Sequence, residues 1–295
     1  MITARALVKH YGDFPALDGV TFDLDDAQIL GVIGHNGAGK TTLLKIMAGL
    51  ITPTSGDLVI DGVDVVRRPF DLKQNLGYLP EESRLYETMT TDAYLSFFGE
   101  IYGMSKAAIR TRRDDLLASL TLEPEGKKIA ELSKGMKRKV AIARSLMHDP
   151  GLLIYDEPTS GLDPMTSRSV LDYIKGLREG GKTVIFSAHN LFQVEEACDL
   201  VLILRRGRVV AKGTMPELRE AFGSITYLIF FRIPDPATFA TPVGYSAYDG
   251  RYLAEARSID ELNRTTAALA ADGAAIERIE SHYPTLEEML LRIGR

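Results

Sequence analysis

The sequence predicts an α/β protein with a mainly parallel sheet covered by helices on both faces. Continuously apolar runs typical of buried parallel strands, QILGVI, LLIYDEP and KTVIFSAH, alternate with segments of helical periodicity. A helical stretch from about Thr88 to Ala130 interrupts this alternation and predicts an inserted helical lobe at about 88–147. A chain of 295 residues is long enough for this core and for a second, smaller domain.

The first part of the chain predicts an N-terminal antiparallel β part followed by a helix. Apolar and polar residues alternate in VTFDL, which places Val20, Phe22 and Leu24 on one face of a strand. The segment PTSGDLVIDG is typical of a strand between two turns. The segment KTTLLKIMAGL has helical spacing, and we expect four of its apolar side chains to face inward: Leu43, Leu44, Met47 and Leu50.

Three helices are predicted between about Thr88 and the strand LLIYDEP. Thr90 precedes TDAYLSFFGEIYG, a helical segment that ends at a glycine stop. SKAAIRTRRDDLLASLTL has the periodicity of a second helix, and GMKRKVAIARSLMHD that of an amphipathic third.

The last part of the chain predicts a small α+β domain. SITYLIFFRI is strand-like, and SAYDGRYLAEA is typical of a hairpin that turns at Asp249 and Gly250. SIDELNRTTAALAADG predicts a helix that opens with a capping box of Ser258 and Glu261 and closes at Gly273. This domain is completed by the segment AIERIES and by a capped helix in TLEEMLLRIG. We therefore predict two domains, at 1–220 and 224–295.

Composition argues against several classes of protein. The net charge of −5 provides no overall basic surface for nucleic acid, and no nucleic-acid partner is expected. The single cysteine, Cys198, excludes an internal disulfide framework and suits a reducing compartment. The first residues lack the apolar core of a signal peptide, and no run is long enough to cross a bilayer. We therefore expect a cytoplasmic protein whose work at a membrane needs a partner.

A glycine-rich segment, IGHNGAGKTT, follows the apolar run ILGVI and precedes a predicted helix. Gly34, Gly39, Lys40 and Thr41 match the phosphate-binding pattern G-x-x-x-x-G-K-[ST], which arises by chance in a chain of this length on the order of 1% of the time. Backbone N–H groups of such a loop and of the helix N-terminus converge on phosphate oxygens. Lys40 adds a point charge, and the Thr41 hydroxyl can ligate Mg²⁺. The alternative is a flexible turn before a core helix.

Two adjacent acids stand at the end of the apolar strand LLIYDEP, where ligands gather in α/β sheets. Asp156 can hold the Mg²⁺ shell, and Glu157 can polarise an attacking water. The alternative is a solvated turn, and by themselves the two acids do not decide between these readings. The phosphate-binding loop in the same chain favours the interpretation that these two acids act on Mg²⁺ and water.

The motifs GHNGAGKTT, LSKGM, LLIYDEP, SGLD and SAH, in this order, closely resemble the ATP-binding subunits of ABC transporters. The resemblance covers roughly residues 2 to 215 and implies a P-loop NTPase of ABC type that binds and hydrolyses ATP with Mg²⁺. It implies nucleotide contacts along the whole glycine-rich loop, from Gly34, His35, Asn36, Gly37, Ala38, Gly39, Lys40, Thr41 and Thr42.

The same resemblance assigns roles outside this loop. Ser133 and Gly135, in the signature LSKGM, contact the γ-phosphate held by the opposite subunit, and Asp163 belongs to a loop that crosses the dimer interface. His189 is the switch histidine, which contacts the γ-phosphate and orients Glu157. Tyr11 occupies the place where an aromatic ring stacks on adenine; its alternative is a tyrosine packed at a sheet edge.

Three departures from the family pattern stand in this sequence. Lys134 and Met136 replace a glycine and the glutamine of the usual signature LSGGQ. Glu81 stands where the family carries a metal-binding glutamine, so a carboxylate would ligate Mg²⁺ there. Tyr155 replaces the aliphatic residue usual before Asp156.

The resemblance also implies partners. Two ATPase subunits, in the simplest case identical, would bury two ATP molecules between the loop of one and the signature of the other. Separate transmembrane permease subunits would receive the work through residues 75 to 130, placing the chain at the inner face of the cell membrane. GYLPEE, LSKGM and PTLEEMLLRIG resemble ATPases of ABC-2-type exporters. The alternatives are a non-transport ABC ATPase that acts on ribosomes or DNA, and a nucleotide-binding regulator without turnover.

Overall fold

A six-stranded sheet forms the centre of the structure, a computed structural model that describes residues 1–124, 126–222, 225–233, 239 and 241–294. The strand order is β10-β9-β3-β8-β7-β6, and every neighbouring pair is parallel except β9 with β10. The predicted mainly parallel sheet is therefore confirmed. Its strands are β3 Ile29–Ile33, β6 Leu76–Leu79, β7 Leu152–Tyr155, β8 Thr183–Ser187, β9 Leu200–Arg205 and β10 Arg208–Gly213.

The central strands are short, and both of their faces are covered. All positions of β3, β7 and β8 are shielded from solvent, as expected for strands with both faces covered. The order also brings the carboxyl ends of β3, β8, β7 and β6 side by side, at the edge where ligands bind in open α/β sheets.

A second sheet, antiparallel and four-stranded, has the order β2-β1-β4-β5. The predicted N-terminal antiparallel part is confirmed, and Val20, Phe22 and Leu24 are buried on one face of β2. The hairpin between β1 and β2 turns tightly, so Tyr11 and Phe14 are paired. The strands are β1 Ile2–Tyr11, β2 Phe14–Leu24, β4 Ser55–Ile60 and β5 Val63–Asp64.

Side-chain caps begin most of the helices around these sheets. Thr90, Ser105 and Ser133 each accept a hydrogen bond from a backbone N–H three residues ahead, which satisfies an amide that the first helical turn leaves unpaired. The helices are α1 Lys40–Met47, α2 Pro69–Leu72, α3 Thr91–Ile101, α4 Lys106–Ser119, α5 Lys134–Leu146, α6 Pro164–Glu179 and α7 Leu191–Ala197.

One expectation about α1 is wrong. Leu43, Leu44 and Met47 are fully buried, but Leu50 is 50% exposed. The helix ends at Met47, and Gly49 follows with a positive φ. Position 50 therefore leaves the helical register that would have turned its side chain inward.

Contacts divide the chain into two compact units, 1–215 and 216–295. The second unit contains an antiparallel sheet of order β12-β13-β11-β14. The predicted hairpin is present, with positive φ at both Asp249 and Gly250, the conformation of a type I′ turn. Its remaining elements are α8 Met215–Phe222, β11 Thr226–Arg232, β12 Tyr245–Tyr248, β13 Arg251–Ala256, α9 Ile259–Ala271, β14 Ala275–His282 and α10 Leu286–Gly294.

The cap of α9 differs in one bond from the predicted capping box. Ser258 Oγ accepts from the amide of Glu261 at 3.1 Å, as expected. The carboxylate of Glu261 accepts from the amide of Arg257, one residue before Ser258, at 2.7 Å. The helix closes before Gly273, whose φ is 86°.

Tyr155 is fully buried at the end of β7, and its hydroxyl has a partner there. Its Oη lies 3.0 Å from Oγ of Ser145 on α5, and Ser145 also donates to the carbonyl of Ile142. Burial raises the pKa of Tyr155 well above its ordinary value, so the ring stays neutral. A tyrosine can replace the usual aliphatic residue at this buried position because Ser145 on the facing helix forms a hydrogen bond with its hydroxyl.

We expect Tyr155→Phe to lower the free energy of unfolding by about 1 kcal/mol, because the serine hydroxyl loses its second partner while packing is kept. Urea unfolding measures this change. Ser145→Ala is the matched control, and the double variant should lose less than the sum of the two single changes. Additive losses would show that the two hydroxyls act independently.

Candidate functional site

The glycine-rich loop between β3 and α1 wraps around an open space. Gly34 and Gly39 have φ values of 154° and 104°, a region that other residues rarely adopt. Both also lie against backbone, because a Cβ at Gly34 would collide with the carbonyl oxygen of Leu204 and one at Gly39 would lie 2.5 Å from that of Ala16. The loop therefore requires glycine at both motif positions.

Lys40 begins α1 and points its ammonium group back into the loop. Its Nζ donates to the carbonyl of Gly34 at 2.8 Å, and only 8% of the residue is exposed. Burial lowers the pKa of Lys40, while the charges of Glu157, Asp156 and Glu81 oppose that shift. The first turn of α1 contains no acidic residue, so its free N–H groups and this ammonium form one positive site.

A cavity of about 300 Å³ lies over the loop and brings together residues from five parts of the sequence. Glu81, Glu157 and His189 were predicted to meet the loop, and they share this cavity with it. The cavity is lined by Phe14, Ala16, Asn36, Gly37, Ala38, Gly39, Lys40, Thr41, Thr42, Glu81, Glu157 and His189.

Glu157 combines an unusual backbone conformation with a buried carboxylate side chain. Its backbone φ is 50°, and 5% of the residue is exposed. Oε2 accepts from the amide of His189 at 3.1 Å, and the His189 Nε2 lies 3.4 Å from Oε1. Burial raises the pKa of Glu157, and His189 and Lys40 oppose that shift. Among the described residues its Oε1 has no hydrogen-bond partner, which leaves that oxygen to accept from a bound water.

Asp156 is 2% exposed and is not among the residues that line the cavity. Its Oδ1 accepts from Ser187 Oγ at 2.6 Å, and the same hydroxyl accepts from the amide of Glu157 at 3.0 Å. Ser187, at the end of β8, therefore fixes both acids. Sequence analysis missed it, although it stands in the motif SAH beside His189.

The oxygen groups near the loop fit a metal that arrives with a nucleotide. The described residues contain no cluster of three or more His, Cys, Asp or Glu that would hold an ion alone. Thr41 and Glu81 offer a hydroxyl and a carboxylate in the cavity wall, and Asp156, next to Glu157 in the chain, is the third predicted ligand. Mg²⁺ prefers few protein ligands together with water and phosphate oxygens, so this donor set suits it.

The signature residues form a separate group. Ser133 caps α5, and a Cβ at Gly135 would lie 3.0 Å from Thr166 at the start of α6. Asp163 caps α6 by accepting from the amide of Thr166 at 2.9 Å. Hydrogen bonds with the Thr166 side chain and then with its amide lower the pKa of Asp163. None of these three predicted residues lines the cavity over the loop.

Phe14, rather than Tyr11, contributes an aromatic ring to the cavity wall. Tyr11 is 51% exposed, and Lys9 Nζ lies 5.3 Å from the centre of its ring. The two aromatic residues are cross-strand partners at the end of one hairpin. The stacking of adenine on Tyr11 stays a prediction, and Phe14 is a neighbouring candidate that the sequence analysis missed.

Arg138 was also missed. It is 7% exposed on α5 and donates to backbone carbonyls at the ends of both β6 and β7. Its sequence signal is its spacing: it shares the face of α5 that buries Ala141, Ile142 and Ser145. A charged residue in an apolar register of this kind marks a buried charge with a specific role.

Comparison with known proteins agrees with this geometry. The family described as ABC transporter matches residues 17–160. The ABC transporter ATP-binding protein NatA of Bacillus subtilis is 37% identical over 75% of this chain and 92% of NatA. This chain belongs to the ABC transporter ATP-binding family. It is thus an ATP-binding ATPase, and the predicted class of enzyme is confirmed.

Two further relatives of this ABC ATPase cover different parts of it. The daunorubicin resistance ATP-binding protein DrrA3 of Streptomyces coeruleorubidus is 32% identical over 99% of this chain and 95% of its own length. A dimeric ATP-binding cassette in a post-hydrolysis state, bound to ADP and Pi, is 25% identical over 73% of this chain and 99% of its own, with a TM-score of 0.67. No helix among the described residues of the ABC ATPase has the length and apolar character needed to cross a membrane.

His189→Ala is expected to move the acidic limb of the pH–rate profile of ATP hydrolysis to higher pH. Burial already holds the pKa of Glu157 above its ordinary value, so activity that needs the carboxylate falls as pH drops through that pKa. His189 opposes the shift, and removing its side chain raises the pKa further.

Steady-state ATPase rates across the acidic range measure this limb. The exposed His10 on β1 offers a control, since His10→Ala should leave the limb in place. An acidic limb that stays put in His189→Ala, or moves to lower pH, would contradict the electrostatic role of His189.

Proposed function

We propose that this chain is the ATP-hydrolysing subunit of an exporter, in which two such subunits close around two ATP molecules and drive a separate membrane permease. The observation that carries the proposal is the separation of the predicted site residues into two groups. The loop, Glu157 and His189 share one cavity, while Ser133 and Gly135 lie outside its wall. A second copy would bring its signature to the first copy's nucleotide.

Each residue of the cavity has a role in this proposal. The loop amides and Lys40 bind the phosphates, and Thr41, Asp156 and Glu81 would hold the Mg²⁺. When bound, the metal would neutralise negative charge on the phosphates. Glu157 accepts a proton from the attacking water, since its buried carboxyl has a raised pKa and a free oxygen. His189 orients that carboxylate through its amide, which donates to Oε2, and its ring lies 3.4 Å from Oε1.

The names of relatives support export. DrrA3 is named for daunorubicin resistance, and its match extends over both units of this chain. We propose the division into an ABC domain at 1–220, with its helical lobe at 88–147, and an accessory domain at 224–295. The chain would act at the inner face of the cell membrane. The net charge of −5 gives no support to the alternative of an ATPase that acts on nucleic acid or ribosomes.

We propose that the permease binds at a groove beside the helical lobe. The groove has a volume of about 820 Å³ and is bordered by α3, α4 and the turn that precedes β6. At its rim Ile101 is 60% exposed and Tyr102 40% exposed. The Tyr102 ring is stacked on His148, which holds it in place at a centroid distance of 3.7 Å. A rigid groove with exposed apolar residues at its rim suits a short segment of another protein.

Glu157→Gln should keep ATP binding, lose hydrolysis by about 10²-fold or more, and trap an ATP-bound dimer. The amide keeps the size of the side chain but cannot take the proton. Size-exclusion chromatography with MgATP and a phosphate-release assay measure both effects. Lys40→Ala is the contrasting variant, which should lose binding and dimer together. A Glu157→Gln chain that stays monomeric with bound ATP would argue against the closing dimer.

Ile101→Glu should release the chain from membranes that contain its permease and leave its own ATPase rate within about twofold, because a carboxylate in an apolar contact is not compensated. Co-sedimentation with membranes of the native cells measures retention. Ile259→Glu is the matched control, since Ile259 is 61% exposed on α9 of the second unit. Equal retention of both variants would rule out the groove as the docking site.

A further inference from the structure

Arg138 on α5 donates to six acceptors among the described residues. Its guanidinium donates to the carbonyls of Pro158, Asp156 and Glu157 at 2.9, 2.9 and 2.7 Å. It also donates to the carbonyls of Pro80 and Glu81 at 2.8 and 3.0 Å. Ser83 Oγ is a sixth acceptor, at 3.3 Å. One planar group thus bonds to two segments that are far apart in sequence.

These acceptors are neutral, although the group is charged and almost fully buried. Five are backbone carbonyls and one is a hydroxyl. Burial lowers the pKa of Arg138 to about 10, while the charges of Asp156 and Glu81 oppose the shift. A buried guanidinium is stable here only while these carbonyls stay in place, so its position and theirs depend on each other.

The carbonyls at the end of β7 converge because of the turn at Glu157. Its φ of 50° is unusual for a residue other than glycine and strains the backbone. The turn points the carbonyls of residues 156–158 toward one side, where the guanidinium bonds to all three. Arg138 therefore stabilises the conformation that directs the Glu157 side chain into the cavity.

The other acceptors belong to the segment that carries Glu81. The Glu81 side chain lines the nucleotide cavity, and residues 81–85 border a cleft of about 700 Å³ beside the start of α5. Ser133 caps the same helix, only five positions before Arg138. One side chain thus bonds to both the segment 80–83 and the turn at Glu157, and it stands on the helix that Ser133 caps.

We propose that Arg138 is a positioning residue that couples the segment 80–83 to the carboxylate of Glu157. This inference rests on the proposed ATP hydrolysis and extends it to regulation. The guanidinium is a fixed planar fork, so a displacement of the carbonyls at one edge turns the whole group and shifts the carbonyls at the other. Closure of a second subunit on Ser133, or of a permease near Glu81, then reaches Glu157 through one side chain.

Arg138→Lys tests the proposal because lysine keeps the charge and loses the fork. We expect kcat for ATP to fall about 100-fold, while KM stays within about threefold, since Glu157 is misplaced and the loop is untouched. Arg144→Lys is the matched control on the same helix. Arg144 bonds to Tyr94 and to the carbonyl of Tyr78 and should tolerate the change within about twofold. A folded Arg138→Lys chain with the wild-type kcat would overturn the proposal.

Hydrogen–deuterium exchange separates coupling from simple support. A non-hydrolysable ATP analogue should slow exchange in both 80–83 and 156–160 of the wild-type chain. In Arg138→Lys the slowing in 80–83 should shrink to the part that the direct contact of Glu81 with the nucleotide site gives. Equal responses of the two segments in both chains would contradict coupling. Ser83→Ala removes one acceptor without stranding the charge and should lower kcat about threefold. If Arg138→Lys does not fold, Ser83→Ala tests the proposal instead. An unchanged kcat in Ser83→Ala would then overturn the coupling role of Arg138.

The two levels of the account fail in different ways. A wild-type chain without ATP hydrolysis would overturn the proposed function, and the coupling role with it. A wild-type chain that hydrolyses ATP, beside an equally active Arg138→Lys, would overturn the coupling role alone.

Discussion

Three backbone carbonyls at the end of β7 converge on the guanidinium of Arg138, and this contact fixes the turn that carries Glu157. The turn is strained, so it needs support from several directions. Ser187 on β8 holds the Glu157 amide, and the carbonyl of Leu79 on β6 holds that of Asp156. Three adjacent strands of a fully packed sheet thus place one carboxylate opposite the glycine-rich loop.

The N-termini of α1 and α5 each carry a residue that was predicted to contact phosphate. Lys40 and Ser133 each stand at the N-terminus of a helix, where unpaired amides attract anions. Only the first of these termini opens into the cavity that holds Glu157. In the proposed dimer, a nucleotide bound to the first terminus would leave its γ-phosphate available to the second terminus of another copy. The energy of binding would then appear as closure of two subunits, and hydrolysis would weaken that contact.

Local sequence was enough to predict the parallel sheet, the loop, and most helix starts, because buried apolar runs, glycines and caps act over a few residues. The roles of Arg138 and Phe14 depend on long-range contacts, and local sequence did not predict them. Arg138 acquires its role from carbonyls that lie far away in the chain, and Phe14 reaches the cavity only because the β1–β2 hairpin folds beside the loop. Leu50 is exposed because α1 ends earlier than its apolar spacing suggests.

A complementation assay tests the central claim that each chain holds half of a composite site. Lys40→Ala lacks a working loop and Ser133→Arg lacks a working signature, so each should be inactive alone. Mixed in equal amounts, they form pairs in which the intact loop of one meets the intact signature of the other, and about a quarter of the wild-type ATPase rate should return. A mixture as inactive as its components, or full activity in Ser133→Arg alone, would contradict the composite site.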